Sequence, residues 1–254
     1  MKFLIQKING EIRHDFAYTL LDSIRFNNWC RNPTIMKVKY LDYIEVQEPD
    51  DIYPIQFKPM HKNYVPVGSV EFVTEFLGHF YGLKPTPMNV PEELFKFAGR
   101  QIANGNHMDF ETVVGGKYYV KSNTKIKGFS ELVEIKSPGM LPIPPGEYQV
   151  SQLVKDIESE WRAFVYEGKL VGLQNYSGDF TVFPSVEKIK EMIKVFQDSD
   201  SAPIAYTLDV AVVNNETIII EAHDFFSCGL YGFSDSILPH MLYRWFEEYL
   251  FINF

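Results

Sequence analysis

Apolar and polar positions alternate over residues 2–8 and predict a first strand, and Asp15 to Phe26 then takes the spacing of a short helix. Strand-like stretches follow at Ile35–Tyr40, Tyr43–Val46 and Tyr53–Phe57. In the stretch Val67–Tyr81, the residues Val70, Val73, Phe76, Leu77 and Phe80 recur at helical spacing, with Ser69 in the N-cap position. Residues 1–84 therefore predict a small α/β domain. The pattern breaks over about 83–91, where Pro85, Pro87 and Pro91 prevent regular structure and mark a linker. Pro91-Glu92-Glu93 has the proline and acidic residues of a helix start, and the spacing predicts a helix to about Ile102.

The remainder, 85–254, reads as a second domain dominated by strands. Tyr118–Lys121, Tyr148–Val154, Glu160–Tyr166, Leu170–Asn175, Ile204–Val213 and Thr217–Glu221 have strand patterning, with turns at Glu167-Gly168 and Asn214-Asn215. Val186–Phe196 and Ser236–Leu250 read as helices. Long hairpins with helices to one side predict an α+β fold.

Composition narrows the function. The chain has 254 residues, and 33 acidic against 24 basic side chains give a net charge of −9. That balance disfavours a broad basic face, so no nucleic-acid partner is expected, while a local basic pocket for a phosphate ligand stays open. With 46% hydrophobic and 22% charged residues the chain is not of the disordered class. No apolar run reaches the length of a membrane span, so no membrane partner is expected. The opening Met-Lys-Phe-Leu-Ile-Gln-Lys-Ile reads as a strand rather than a signal peptide. Cys30 and Cys228 are too few for a disulfide framework, and a cytoplasmic location is expected. The 21 Phe and 15 Tyr predict a large aromatic core.

Three segments could carry chemistry. In Tyr118–Ser130 a strand ends on Lys121, and a loop of small polar residues with Lys125 and Lys127 follows. Such a loop suits polyphosphate, although it has no Walker-type Gly-Lys-Ser/Thr, and taken alone the segment reads rather as a solvated basic loop. In Glu160-Trp161-Arg162 the acid and the guanidinium share one strand face, either as an ion pair or as an arginine offered to phosphate. The third segment is the strongest. Asp209 interrupts the apolar run Tyr206–Val213, and Glu221 ends Ile218-Ile219-Ile220, with His223 and Asp224 beyond. A carboxylate inside an apolar strand is costly unless it is paired or metal-bound. The Asn214-Asn215 hairpin would bring Asp209 and Glu221 to neighbouring positions, a donor pair that suits Mg²⁺.

In this order the segments resemble ATP-grasp proteins, and most closely their R2K clade, which is common in bacteriophages. The resemblance runs over residues 65 to 235. It rests on Val65-Pro66-Val67-Gly68-Ser69, Val120-Lys121 with Lys127-Gly128-Phe129, Glu160–Val165, Leu208-Asp209-Val210, and Glu221–Asp224 leading into Gly229-Leu230-Tyr231-Gly232. It implies two α+β subdomains pinching ATP, preceded by a small α/β pre-ATP-grasp domain. It also implies that Lys121 sits near the α/β-phosphates, that Lys127 folds down on the triphosphate, and that Gln152, Leu153 and Val154 read the adenine edge. By the same resemblance Glu160 or Asp156 takes the ribose hydroxyls, Arg162 faces the γ-phosphate, Arg100 is a further phosphate contact, and Asp209 and Glu221 hold Mg²⁺. The family's asparagine two residues after the glutamate is His223 here, leaving His223 or Asp224 as the remaining metal ligand.

The implied activity is ATP-dependent carboxylate–amine ligation through an acyl phosphate, on an amino acid, peptide or protein acceptor. His223 keeps a second reading open, a non-catalytic nucleotide-binding or host-interaction protein with the same fold. A small-molecule kinase would use the same nucleotide residues.

Overall fold

A computed structural model describes residues 2–30, 41–47, 64–110 and 113–253. The strands expected at Ile35–Tyr40 and Tyr53–Phe57 lie outside the described residues. The chain divides into two compact units.

The first unit comprises Met1–Lys84, Pro203–Ala205 and Phe225–Phe254. Its sheet is parallel, in the order β2 (Asp42–Gln47), β1 (Lys2–Lys7), β3 (Tyr64–Val67). Helices α1 (Asp15–Cys30) and α2 (Val70–Tyr81) accompany it. The predicted cap of α2 forms: Ser69 Oγ accepts from the Phe72 amide at 3.1 Å. At its other end Gly82 ends the helix at φ +70°, a left-handed conformation that glycine takes without penalty. The last helix, α4 (Leu238–Asn253), packs in this unit, so the division differs from the expected 85–254 domain at its C-terminal end.

The second unit comprises Pro85–Ala202 and Tyr206–Asp224. Its larger sheet is antiparallel and runs β11 (Glu216–Asp224), β10 (Ala205–Val213), β8 (Ile157–Tyr166), β9 (Lys169–Gly178). The smaller runs β4 (Ile102–Asn106), β7 (Glu147–Gln152), β5 (Gly116–Ser122), β6 (Ser130–Ile135). Asn214 and Asn215 both have positive φ, as do Glu167 and Gly168, the conformation that tight hairpin turns require.

Helix α3 (Val186–Gln197) begins on Ser185, whose Oγ accepts from the Lys188 amide, and it buries Ile189, Met192, Ile193 and Phe196. Each such side chain contributes about 1.5–3 kcal/mol of burial. They meet Trp161, Ala163 and Val165 of β8 and Leu208 and Val210 of β10 in one core. Phe110, Val120, Val133 and Val150 form a smaller core under the second sheet.

The helix predicted from Pro91 to about Ile102 is instead a 3₁₀ segment over Glu92–Phe97, and Ile102 already belongs to β4. Gly99 at φ +61° turns the chain between them. Among the described residues no helix is long and apolar enough to cross a membrane.

Candidate functional site

The polar residues of the second unit gather on one face of the larger sheet. In the β10–β11 hairpin, Asp209 lies directly opposite Glu221, and Thr207 opposite His223. Opposed residues point to one side. Leu208, Val210 and Ala222 take the other side, into the α3 core. On the neighbouring β8, Trp161 and Ala163 also enter that core, which turns Arg162 toward Asp209.

Arg162 Nε donates to Asp209 Oδ1 and a terminal nitrogen to Oδ2, both at 2.7 Å. The two side chains are only 5% and 6% exposed. Burial alone would raise the Asp209 carboxyl, but the hydrogen bonds from Arg162 and His223 outweigh it and hold the group down at about 2. His223 Nε2 lies 3.3 Å from Asp209 Oδ2 and 3.6 Å from Glu221 Oε2. Glu221 in turn is ion-paired with Lys121, at the end of β5 in the smaller sheet. On the other side of Arg162, Tyr176 of β9 donates to Glu160 Oε2 at 3.0 Å. Polar contacts thus run from Arg162 through Asp209, His223 and Glu221 to Lys121.

Past Asp209 the β10–β11 register slips by one residue, with Ile220 the extra one. Arg100 fastens this bulge. Its guanidinium donates to the carbonyl oxygens of Ile219 at 2.7 Å, Ile220 at 3.1 Å and Ala98 at 3.1 Å. Burial lowers its pKa to about 10, opposed by the nearby Glu221 carboxylate. Arg100, expected as a phosphate contact, is in this structure a clamp on the strand that presents Glu221.

Beside the charges lies a cleft with Leu153, Val154, Ile157 and Ile220 on its apolar side, carrying Arg100, Lys121 and Glu221 as well. Gln152 also lines it. The Gln152 amide donates to Gln101 O and the Leu153 amide to Lys117 O, both at 3.1 Å. Lys127 is exposed, at φ +53° in the β5–β6 loop, and does not line the cleft. Glu160 does not line it either; its carboxylate accepts from Tyr176.

Sequence reasoning passed over three residues here. Gln149, in the middle of β7, clasps the Val90 backbone through both its amide atoms at 3.0 and 2.8 Å. Asn89, at φ +51°, accepts from the Ala222 amide at 2.7 Å, so the end of the proline segment bonds to both sheets. A polar residue amid Tyr148 and Val150 was a readable signal for Gln149. Tyr176 had none, because a bulge directs it.

Two opposed carboxylates supply the oxygen donors that Mg²⁺ accepts, with phosphate oxygens completing its shell. In chemistry the pair fits the ion. Here each carboxylate faces a basic side chain, and among the described residues no group of three or more His, Cys, Asp or Glu forms a ready cation site.

Solved structures of similar fold include D-cycloserine synthetase DcsG, at TM-score 0.54 and 9% identity, covering 98% of this chain and 100% of that one. A RimK domain protein ATP-grasp from Sphaerobacter thermophilus follows at TM-score 0.51 and 11% identity, covering 97% and 100%. D-alanine–D-alanine ligase from Bacillus anthracis complexed with ATP has TM-score 0.50 and 10% identity, covering both chains fully at 100%. No curated protein matches the sequence. The architecture is the ATP-grasp fold, α+β as expected. Residues 97–238 match the ATP-grasp domain, R2K clade family 2, and the chain belongs to that family.

Proposed function

We propose that this protein is an ATP-dependent carboxylate–amine ligase that forms ADP and an amide, with an amino acid, peptide or protein as acceptor. The observation that carries this reading is the row of paired charges beside an apolar cleft. Lys121–Glu221 and Arg162–Asp209 put two cations and two carboxylates next to each other, within a fold whose solved neighbours include an ATP-bound ligase.

In this reading the base lies against Leu153, Val154, Ile157 and Ile220. The Gln152 and Leu153 amides are committed to the protein's own carbonyls, so the N–H offered to adenine falls to Val154. Asp156, beside the cleft-lining Ile157, suits the ribose hydroxyls better than Glu160. Lys121 turns from Glu221 to the α/β-phosphates, and Arg162 meets the γ-phosphate and the developing acyl phosphate. Lys127 joins them when its loop folds over the triphosphate. Asp209 and Glu221, with His223 beside them, would hold Mg²⁺, whose chemistry here is to neutralise phosphate charge. The barrier is one of charge and position, so the chain needs no nucleophile of its own. We take the first unit as the pre-ATP-grasp domain.

A second reading, a nucleotide binder without ligation, draws on one observation: His223 stands where the family has asparagine and contacts both carboxylates. ADP release from Mg–ATP, screened over amino acids and short peptides, tests the choice. Release stimulated by an acceptor and abolished in Arg162→Lys supports ligation. ATP binding without release under any acceptor favours the second reading.

A further inference from the structure

Residue 176 occupies an unusual place in the sheet. In the β8–β9 ladder Glu160 pairs with Ser177 and Trp161 with Asn175, so Tyr176 is the extra residue of a bulge. A bulge of this kind turns a side chain out of the regular alternation and recurs beside active sites. Here it delivers the Tyr176 ring to the Arg162 side, with the guanidinium carbon 5.8 Å from the ring centroid. The hydroxyl is tied to Glu160 Oε2 at 3.0 Å, which keeps the ring from swinging away. Burial first, then the Asp209 and Glu160 carboxylates, raise the phenol pKa, so the ring stays neutral and its hydroxyl a donor throughout the physiological range.

Arg162 is therefore held on two sides. Asp209 grips one edge of the guanidinium through two hydrogen bonds, and its carbon lies over the Tyr176 ring. We propose that Tyr176 is a positioning residue that orients Arg162 toward the terminal phosphate of the bound nucleotide. The inference rests on the ATP-binding reading of the site, and it adds a residue that acts only through Arg162. The ring carries the effect, as a face for the cation, and the hydroxyl only anchors the ring.

The test separates the terminal phosphate from the rest of the nucleotide. Calorimetry gives the affinities of Mg–ATP and Mg–ADP for wild type, Tyr176→Phe, Tyr176→Leu, Tyr176→Met and Arg162→Lys. Wild type is expected to prefer ATP. Leu or Met, which remove the ring, lower ATP affinity about tenfold, the worth of a cation–ring contact of about 1.4 kcal/mol. They leave ADP affinity unchanged, while Phe keeps the wild-type preference. Met retains more of the side-chain volume and serves if the Leu variant does not fold. An equal loss for ATP and ADP would mean a merely structural role and overturn the proposal. So would Leu and Met variants that keep the preference while Arg162→Lys loses it, and then the nucleotide reading would survive alone. Absence of Mg–ATP binding in wild type would overturn both.

Discussion

The pairs Arg162–Asp209 and Lys121–Glu221 stand side by side, since Asp209 and Glu221 oppose each other across β10 and β11. Their surroundings differ. Arg162 and Asp209 are 5% and 6% exposed and bound through two hydrogen bonds, with a tyrosine ring near the guanidinium. Lys121 and Glu221 are 21% and 19% exposed, line the open cleft, and share a single ion pair. A buried pair is costly to break, because the remaining charge has no water to turn to. A pair at a cleft wall can trade its partner for solvent or ligand at little cost. One pair is thus the more firmly held, and the other trades its partner more readily.

The largest effect that would test this contrast is a stability loss. Asp209→Ala leaves Arg162 buried without its counter-charge and should cost about 3–5 kcal/mol in urea unfolding followed by tryptophan fluorescence. A loss below about 1 kcal/mol would mean that the interior pair is no firmer than a surface one.

Acid should expose the same difference more mildly. The folded Asp209 carboxyl titrates at about 2, below the ordinary 3.8, so between those values the unfolded chain takes up the proton first. The stabilisation is complete above the unfolded value and is lost as pH falls toward 2. It amounts to about 2 kcal/mol by linkage. Urea midpoints measured down this window should fall more steeply in wild type than in Asp209→Asn.

The smallest stability effect belongs to the cleft. Glu221→Gln should change unfolding free energy by less than about 1 kcal/mol while weakening the magnesium dependence of ATP binding. A destabilisation as large as that of Asp209→Ala would erase the contrast.

The legible parts of this chain were those where a residue contradicts its neighbours. Asp209 inside an apolar run and Glu221 at the end of another declared themselves, as did the asparagine turn that sets them opposite each other. Strand alternation was enough to send Trp161 and Arg162 to different sides. What stayed hidden depends on backbone irregularity or on distant packing. The Ile220 bulge gives Arg100 two adjacent carbonyls, and the Tyr176 bulge redirects a ring, and neither leaves a periodic trace. The glutamates after Pro91 promised a longer helix than Gly99 allows. Ile-Ala-Asn-Gly-Asn of β4 lacks strand composition and is recruited by pairing with β7. Helix α4 was visible as a helix, but its packing with the first unit is a long-range choice that local pattern does not encode.

The most direct measurement is a calorimetric titration of ATP with and without Mg²⁺, on wild type and on Asp209→Asn. Binding by wild type that requires magnesium, and is lost in a folded Asp209→Asn variant, is the predicted result. ATP binding that ignores magnesium and survives the substitution, or no binding by wild type at all, would contradict the nucleotide site.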